Sequence, residues 1–217
     1  PNIVLHDDFC ERAGARLHLV SNASVHVTRQ KAAGAWHLFE VPTAKRRVCR
    51  RIEHQRQAHS YRHELEIYYH ALKDANDLLI HPHEIVQYMD CKGGLTKLEA
   101  DLYKPRQTMD TDMDIIMAHK LLLCNTKHMV KHHWILGHAD EKKKDKPATI
   151  TTMERDNIEC DAEANACVEG DSPLGWFEPL PGYGAMLKLS GDWNTTHLRA
   201  NIKFANTSPP MTTYVLQ

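Results

Sequence analysis

Apolar and polar positions alternate in twos along the early chain and recur in threes and fours further on. Residues 16–25, reading Arg-Leu-His-Leu-Val-Ser-Asn-Ala-Ser-Val, carry the alternation of a half-buried strand. After a polar turn, 34–41 reads as a second strand, and 47–53 supplies a third. At Ser60 the period changes. Tyr61, Leu65, Tyr68, Tyr69, Leu72, Ala75 and Leu79 recur at helical spacing and form one packed face, with Ser60 as its N-cap and Glu64 on the edge of the stripe. Residues 84–89 form a short strand of buried type that ends at Asp90, with Gly93 and Gly94 breaking it beyond. Thr111-Asp112-Met113-Asp114 is a cap-like start to a helix carrying Ile115, Ile116, Ala118 and Leu121. Thr151 with Glu154 makes a capping box for a later helix, on which Asn157, Asp161, Ala164 and Val168 share a face.

Past Gly170 the composition shifts. Pro173, Pro179, Pro181, Gly182 and Gly184 mark a linker; 185–190 then reads as a strand, Trp193 follows a Gly191-Asp192 turn, and 196–205 reads as a helix. The expected organisation is a lead-in over 1–15, one α/β domain over 16–170, and a linker with a small strand-helix extension over 171–217. At 217 residues and 42% hydrophobic content the chain can bury a full core. Its beginning at Pro1 reads as a piece of a longer protein.

A formal charge of −1 gives no global pull toward nucleic acid, but charge is clustered locally. Lys45, Arg46, Arg47, Arg50 and Arg51 crowd seven positions, and Lys142, Lys143, Lys144 and Lys146 form a second run; either can neutralise phosphates. The six cysteines show no CxxC pairing, which fits reduced thiols in an intracellular protein of cytoplasm or nucleus. His81-Pro82-His83 and His132-His133 are the densest histidine spots among 16, yet no HExxH or finger spacing marks zinc. No apolar run approaches the length of a membrane span.

The candidate chemistry lies elsewhere. Asp90 stands at the carboxyl end of a strand, where open α/β sheets place ligands. Four strings then occur in order: Leu19-Val20-Ser21-Asn22-Ala23-Ser24-Val25; Ser60-Tyr61-Arg62-His63-Glu64-Leu65; Met89-Asp90-Cys91-Lys92; and Trp134-Ile135-Leu136-Gly137-His138-Ala139-Asp140, with Asn157 and Asp161 downstream. Together they resemble the ribonuclease H-like domains of retrotransposon reverse transcriptase polyproteins, of the ribonuclease H type 1 family. The corresponding family strings read Ser-Asp-Gly-Ser, Ser-Tyr-Arg-Ala-Glu, Cys-Asp-Asn and Trp-Val-Lys-Gly-His-Gln-Asp.

The resemblance implies a ribonuclease H-like mixed sheet flanked by helices, and a metal-dependent endonuclease that cuts the RNA strand of an RNA–DNA hybrid. It implies a site at Asn22, Glu64, Asp90 and Asp161 for Mg2+ or Mn2+, with His138 matching a mobile histidine that moves protons or product. The adjoining reverse transcriptase domain of a polyprotein is an implied partner. Hydrolysis by two divalent ions uses oxygen ligands holding them roughly 4 Å apart, and magnesium prefers hard anionic oxygens.

Asn22 departs from that pattern, because an amide has neither the charge nor the second anionic oxygen of the family's first aspartate. Near two dications the missing charge costs several kcal/mol of affinity, even at an effective dielectric of about 20. Asp7, Asp8 and Asp140 offer no obvious substitute. The expectation is impaired cleavage with weakly bound metal. An active nuclease using three carboxylates, and a binding or structural module without metal chemistry, remain open beside it. Ala23, Ala139 and Asp156, the last in place of a family leucine, read as drift.

Overall fold

A computed structural model describes residues 2–5, 13–26, 31–40, 45–54, 60–100, 112–170, 185–189, 192–194 and 214–216; for 2–5, 45–54 and the strands past 184 the description is of the backbone. The elements run β1 (Asn2–Leu5), β2 (Arg16–His26), β3 (Lys31–Glu40), β4 (Lys45–His54), α1 (Ser60–Leu78), β5 (Glu84–Met89), α2 (Lys92–Glu99), α3 (Met113–Asn125), β6 (Met129–Trp134), α4 (Ala139–Lys142), α5 (Thr152–Glu169), β7 (Ala185–Leu189), β8 (Asp192–Asn194) and β9 (Tyr214–Leu216). The fold is the expected α/β type, a mixed sheet flanked by helices.

The main sheet has the order β1-β4-β3-β2-β5-β6. β1 through β4 pair antiparallel, whereas β5 runs parallel to both β2 and β6. β1 falls in the stretch expected to be only lead-in; it pairs with β4 from Asn2 opposite Arg50 to Leu5 opposite Arg47. The second sheet, β8-β7-β9, includes the strand expected over 185–190. The helix expected over 196–205 lies outside the described residues.

β2 is buried without a break from Leu17 to Ala23, so both of its faces are covered. One face gives Leu17, Leu19 and Ala23, which join Trp36 and Leu38 of β3 against Ile67, Ala71, Leu72 and Ala75 of α1. The other gives Val20, which packs with Ala35, Phe39, Ile135 and Cys160 of α5. Gly34 is what lets α1 settle so close, since a Cβ there would collide with the Ile67 side chain.

Helix ends follow the sequence unevenly. α5 begins with both halves of its capping box: Glu154 N donates to Thr151 Oγ1 at 3.2 Å and Thr151 N to Glu154 Oε2 at 2.8 Å. The cap expected at the start of α3 is absent. Asp112 takes a left-handed backbone (φ 67°) without a side-chain cap, and its carboxylate receives Arg62 Nη1 at 3.0 Å, with Asp114 Oδ2 2.7 Å from Nη2. Arg62, buried on α1, also meets Glu66 Oε1 at 2.9 Å, so long-range ion pairing outcompetes the local cap. Ser60 is the first helical residue of α1 instead of a residue before it.

Candidate active site

The parallel register of β2 and β5 sets Leu19 beside Gln87 and Val20 beside Tyr88. Two residues further on, Asn22 and Asp90 come level, Asp90 one residue past the end of β5. From the sheet's two sides, α1 brings Glu64 and α5 brings Asn157 and Asp161 toward this end. Sequence period explains the last two: Asn157 is fully buried, and Asp161, four residues later, is half-buried at the border of the same face.

Asn22 is 4% exposed, and both ends of its amide are hydrogen-bonded within the protein. Oδ1 accepts the Ala23 backbone N–H at 2.8 Å, and Nδ2 donates to the carbonyl and to Oδ1 of Asn157, each at 3.4 Å. Asn157 Nδ2 in turn donates to Ser21 O at 3.4 Å. An amide-to-amide bridge therefore fastens β2 to α5.

Electrostatics tie the acids together. Glu64 is held well above the ordinary carboxylate range, first by burial and then by the charges of Asp90 and Asp161, against which the Ala23 N–H pulls it down. Burial also raises Asp90, opposed mainly by the nearby His138, with Asp161 adding to the rise. Asp161 is raised by burial and lowered by the same histidine. Three carboxyl groups thus share one field, a feature of sites built for a cation.

The His138 loop lies against them. Its backbone is left-handed (φ 49°) at the N-cap of α4, and the side chain is exposed. Gly137 precedes it because any Cβ there would strike the Asp90 carboxylate. Lys142 Nζ donates back to Gly137 O at 2.7 Å, and Trp134 Nε1 to Asp90 O at 3.0 Å. In the second basic run Lys143 is engaged with Glu154 Oε2 at 2.7 Å and Thr149 O at 3.0 Å, so part of that run clasps the loop. The first run, Lys45 to Arg51, lies on β4 between β3 and β1; its side chains fall outside the described residues.

Asp156, which reads as drift in the sequence, has a partner in the fold. It is fully buried on α5, and its Oδ1 stands 3.2 Å from His37 Nδ1 on β3. No local pattern links 37 to 156; the available signal is a charged residue where helical period demands an apolar one. Among the described residues Cys91, Cys124, Cys160 and Cys167 form no disulfide, and no helix is long and apolar enough to cross a membrane.

No protein-family model matches the chain, and no curated protein matches it. Among solved structures, it is similar to LC9-RNase H1, a type 1 RNase H with the type 2 active-site motif, at 12% identity over 95% of this chain and 90% of that one, with a TM-score of 0.51. It is also similar to the RNase H domain of PFV (11% identity, 73% and 96% covered, TM-score 0.49) and to RNase H1 of the archaeon Halobacterium salinarum NRC-1 (17% identity, 71% and 98% covered, TM-score 0.47). The first of these likenesses carries the fold, which is ribonuclease H-like, and at such identity it carries the fold alone.

Proposed function

We propose that the chain is a ribonuclease H-like domain of retroelement origin, related to endonucleases that cut the RNA strand of RNA–DNA hybrids, whose cleavage is impaired at Asn22. One observation carries this reading: three carboxyl groups, Glu64, Asp90 and Asp161, converge beside an asparagine whose amide oxygen and nitrogen are both turned to the protein. The three acids fit a divalent cation, since their mutual repulsion, felt most at Glu64, is what a positive ion relieves. Magnesium or manganese, when bound by them, would supply Lewis-acid chemistry toward a phosphodiester. The fit is incomplete for two ions, because Asn22 gives no anionic oxygen to bridge them.

The chain's own residues take the remaining roles. His138, exposed and within the field of both Asp90 and Asp161, would move a proton or escort product on this reading. Lys45, Arg46, Arg47, Arg50 and Arg51 would track hybrid phosphates. An adjoining reverse transcriptase domain is the partner that the retroelement reading brings.

Replacement of Asn22 by Asp tests the proposal. Cleavage of an RNA–DNA hybrid with magnesium or manganese should rise at least tenfold, about 1.4 kcal/mol in the barrier, and Asp161→Ala in that background should remove most of the gain. A parent that cleaves as fast as the variant makes the three-carboxylate enzyme the better reading. Two folded proteins that both fail to cleave leave a non-catalytic module.

A further inference from the structure

Trp134 is a large ring left half in the open beside the candidate acids. It is the last residue of β6 and pairs with Met89, the residue before Asp90. Its indole N–H donates to the Asp90 carbonyl at 3.0 Å, yet the residue is 47% exposed, so the part of the indole left to water is its apolar surface. α2 begins beside it. Lys92 is exposed, and its Nζ stands 5.9 Å from the centre of the Trp134 ring, within reach of the ring's negative face. Among the described residues no carboxylate pairs with Lys92, and α2 carries no acid before Glu99. The same helix sets Lys97 Nζ 5.5 Å from the ring of Tyr61, three residues before Glu64. In the sheet order β1-β4-β3-β2-β5-β6, Asn22 and Asp90 stand at the ends of β2 and β5, so the arginine-rich β4 and the Trp134 strand lie on opposite sides of them. At the usual strand spacing those two flanks are about 19 Å apart.

We propose that Trp134 and Lys92 form a nucleic-acid contact on the β6 flank of the candidate site, with the indole against a sugar ring of the bound strand and the ammonium against its phosphate. The inference rests on the reading of the chain as a hybrid-binding domain, and it names a contact that β4, on the far side of the acids, cannot supply. Bases in a duplex stack on one another, so the ring's partner is the sugar and the contact carries no sequence preference. Three carboxyl groups repel an approaching phosphate, and a polyanion crossing them is held best by cations on both flanks. A lone exposed ring or a lone exposed lysine is ordinary. Here ring and cation are adjacent, no acid answers the cation, and the indole is hydrogen-bonded to the backbone of Asp90. A strand held by this ring is therefore registered against that acid. A role as a brace for Asp90 uses the indole N–H alone and leaves the exposed ring and its lysine without a purpose.

The test is binding of an RNA–DNA hybrid to the full chain, in chelator and again in calcium, which takes oxygen ligands as magnesium does. Trp134→Ala should weaken binding roughly tenfold. Trp134→Phe, which keeps a ring and loses the N–H, should bind within about threefold of the parent. Lys92→Gln should lower the log–log salt slope by about 0.9, the share of one phosphate; at an exposed position it tests the same surface should Trp134→Ala fold poorly. Direct contact has its own readout: indole emission of the parent should fall as hybrid is added, and that fall should be lost in Trp134→Phe although this variant still binds. A parent that binds no hybrid in either condition overturns the proposed function and this contact with it. A parent that binds, with Trp134→Ala and Lys92→Gln matching its affinity and slope, overturns the contact alone. Equal weakening in Trp134→Phe and Trp134→Ala, with parent emission unchanged by hybrid, reduces Trp134 to a brace for Asp90 and overturns the contact as well.

Discussion

The two faces of the central sheet are covered by helices of similar length but do different work. On the α1 face, β2 and β3 contribute Leu17, Leu19, Trp36 and Leu38 to a layer closed by Ile67, Ala71 and Leu72. On the α5 face the same two strands contribute Asn22 and His37 beside Val20 and Ala35, and the helix answers with Asp156, Asn157 and Cys160. Burial is equally complete on both, so burial does not distinguish them. The difference lies in the strand residues that meet each helix: on the α1 side they are apolar, with Trp36 Nε1 also donating to Asp74 Oδ2 at 3.2 Å, and on the α5 side they include an amide bridge and a buried imidazole–carboxylate pair.

That contrast can be broken most forcefully at Trp36, fully buried on the α1 face. Trp36→Ala should cost about 3–5 kcal/mol in urea unfolding, and a change under about 1 kcal/mol would mean that this layer is not the one holding the sheet.

A smaller effect tests the polar groups that do enter the α1 side. His119 stacks on Tyr68 with ring centroids 5.2 Å apart, and His132 Nδ1 meets the Tyr68 hydroxyl at 2.7 Å. Burial, with a neighbouring histidine adding to it in each case, pulls His119 down to about 3 and His132 to about 4. Both folded values lie below the usual 6.5. The unfolded chain therefore takes up protons first as pH falls, and the contribution, complete above 6.5, is lost between there and the folded values. For His119 alone the loss by pH 5 is about 2 kcal/mol. His119→Phe should shrink the drop in stability between pH 7 and pH 5 by about that amount; an unchanged drop would show that the imidazole is not held neutral.

The smallest expected effect concerns β4, which lies between β3 and β1. Replacing Arg46, Arg47 and Arg50 by Ala should flatten the salt dependence of hybrid binding by up to about 0.9 in log–log slope for each phosphate no longer neutralised. Binding with an unaltered slope would remove β4 from the nucleic-acid surface and leave recognition to the loops around His138.

The sequence by itself determined most elements of the main sheet and its covering helices, though not β1. Strand 84–89 appears as β5 with the same bounds, the α5 capping box is made by Thr151 and Glu154, and Glu64, Asp90 and Asp161 stand in one electrostatic field. These are legible because period, caps and strand ends are local consequences of backbone geometry, and because ordered motifs preserve their spacing. Tertiary structure decided what the polar residues do. Asn22 reads in sequence as a missing ligand, and the fold makes it a bridge to Asn157, 135 residues away. Asp112 reads as a cap and becomes a partner of Arg62, while Asp156 reads as drift and becomes a partner of His37. Hydrogen bonds and ion pairs are short-ranged in space and indifferent to separation along the chain, so a buried polar group's partner is fixed only when packing brings two distant elements face to face.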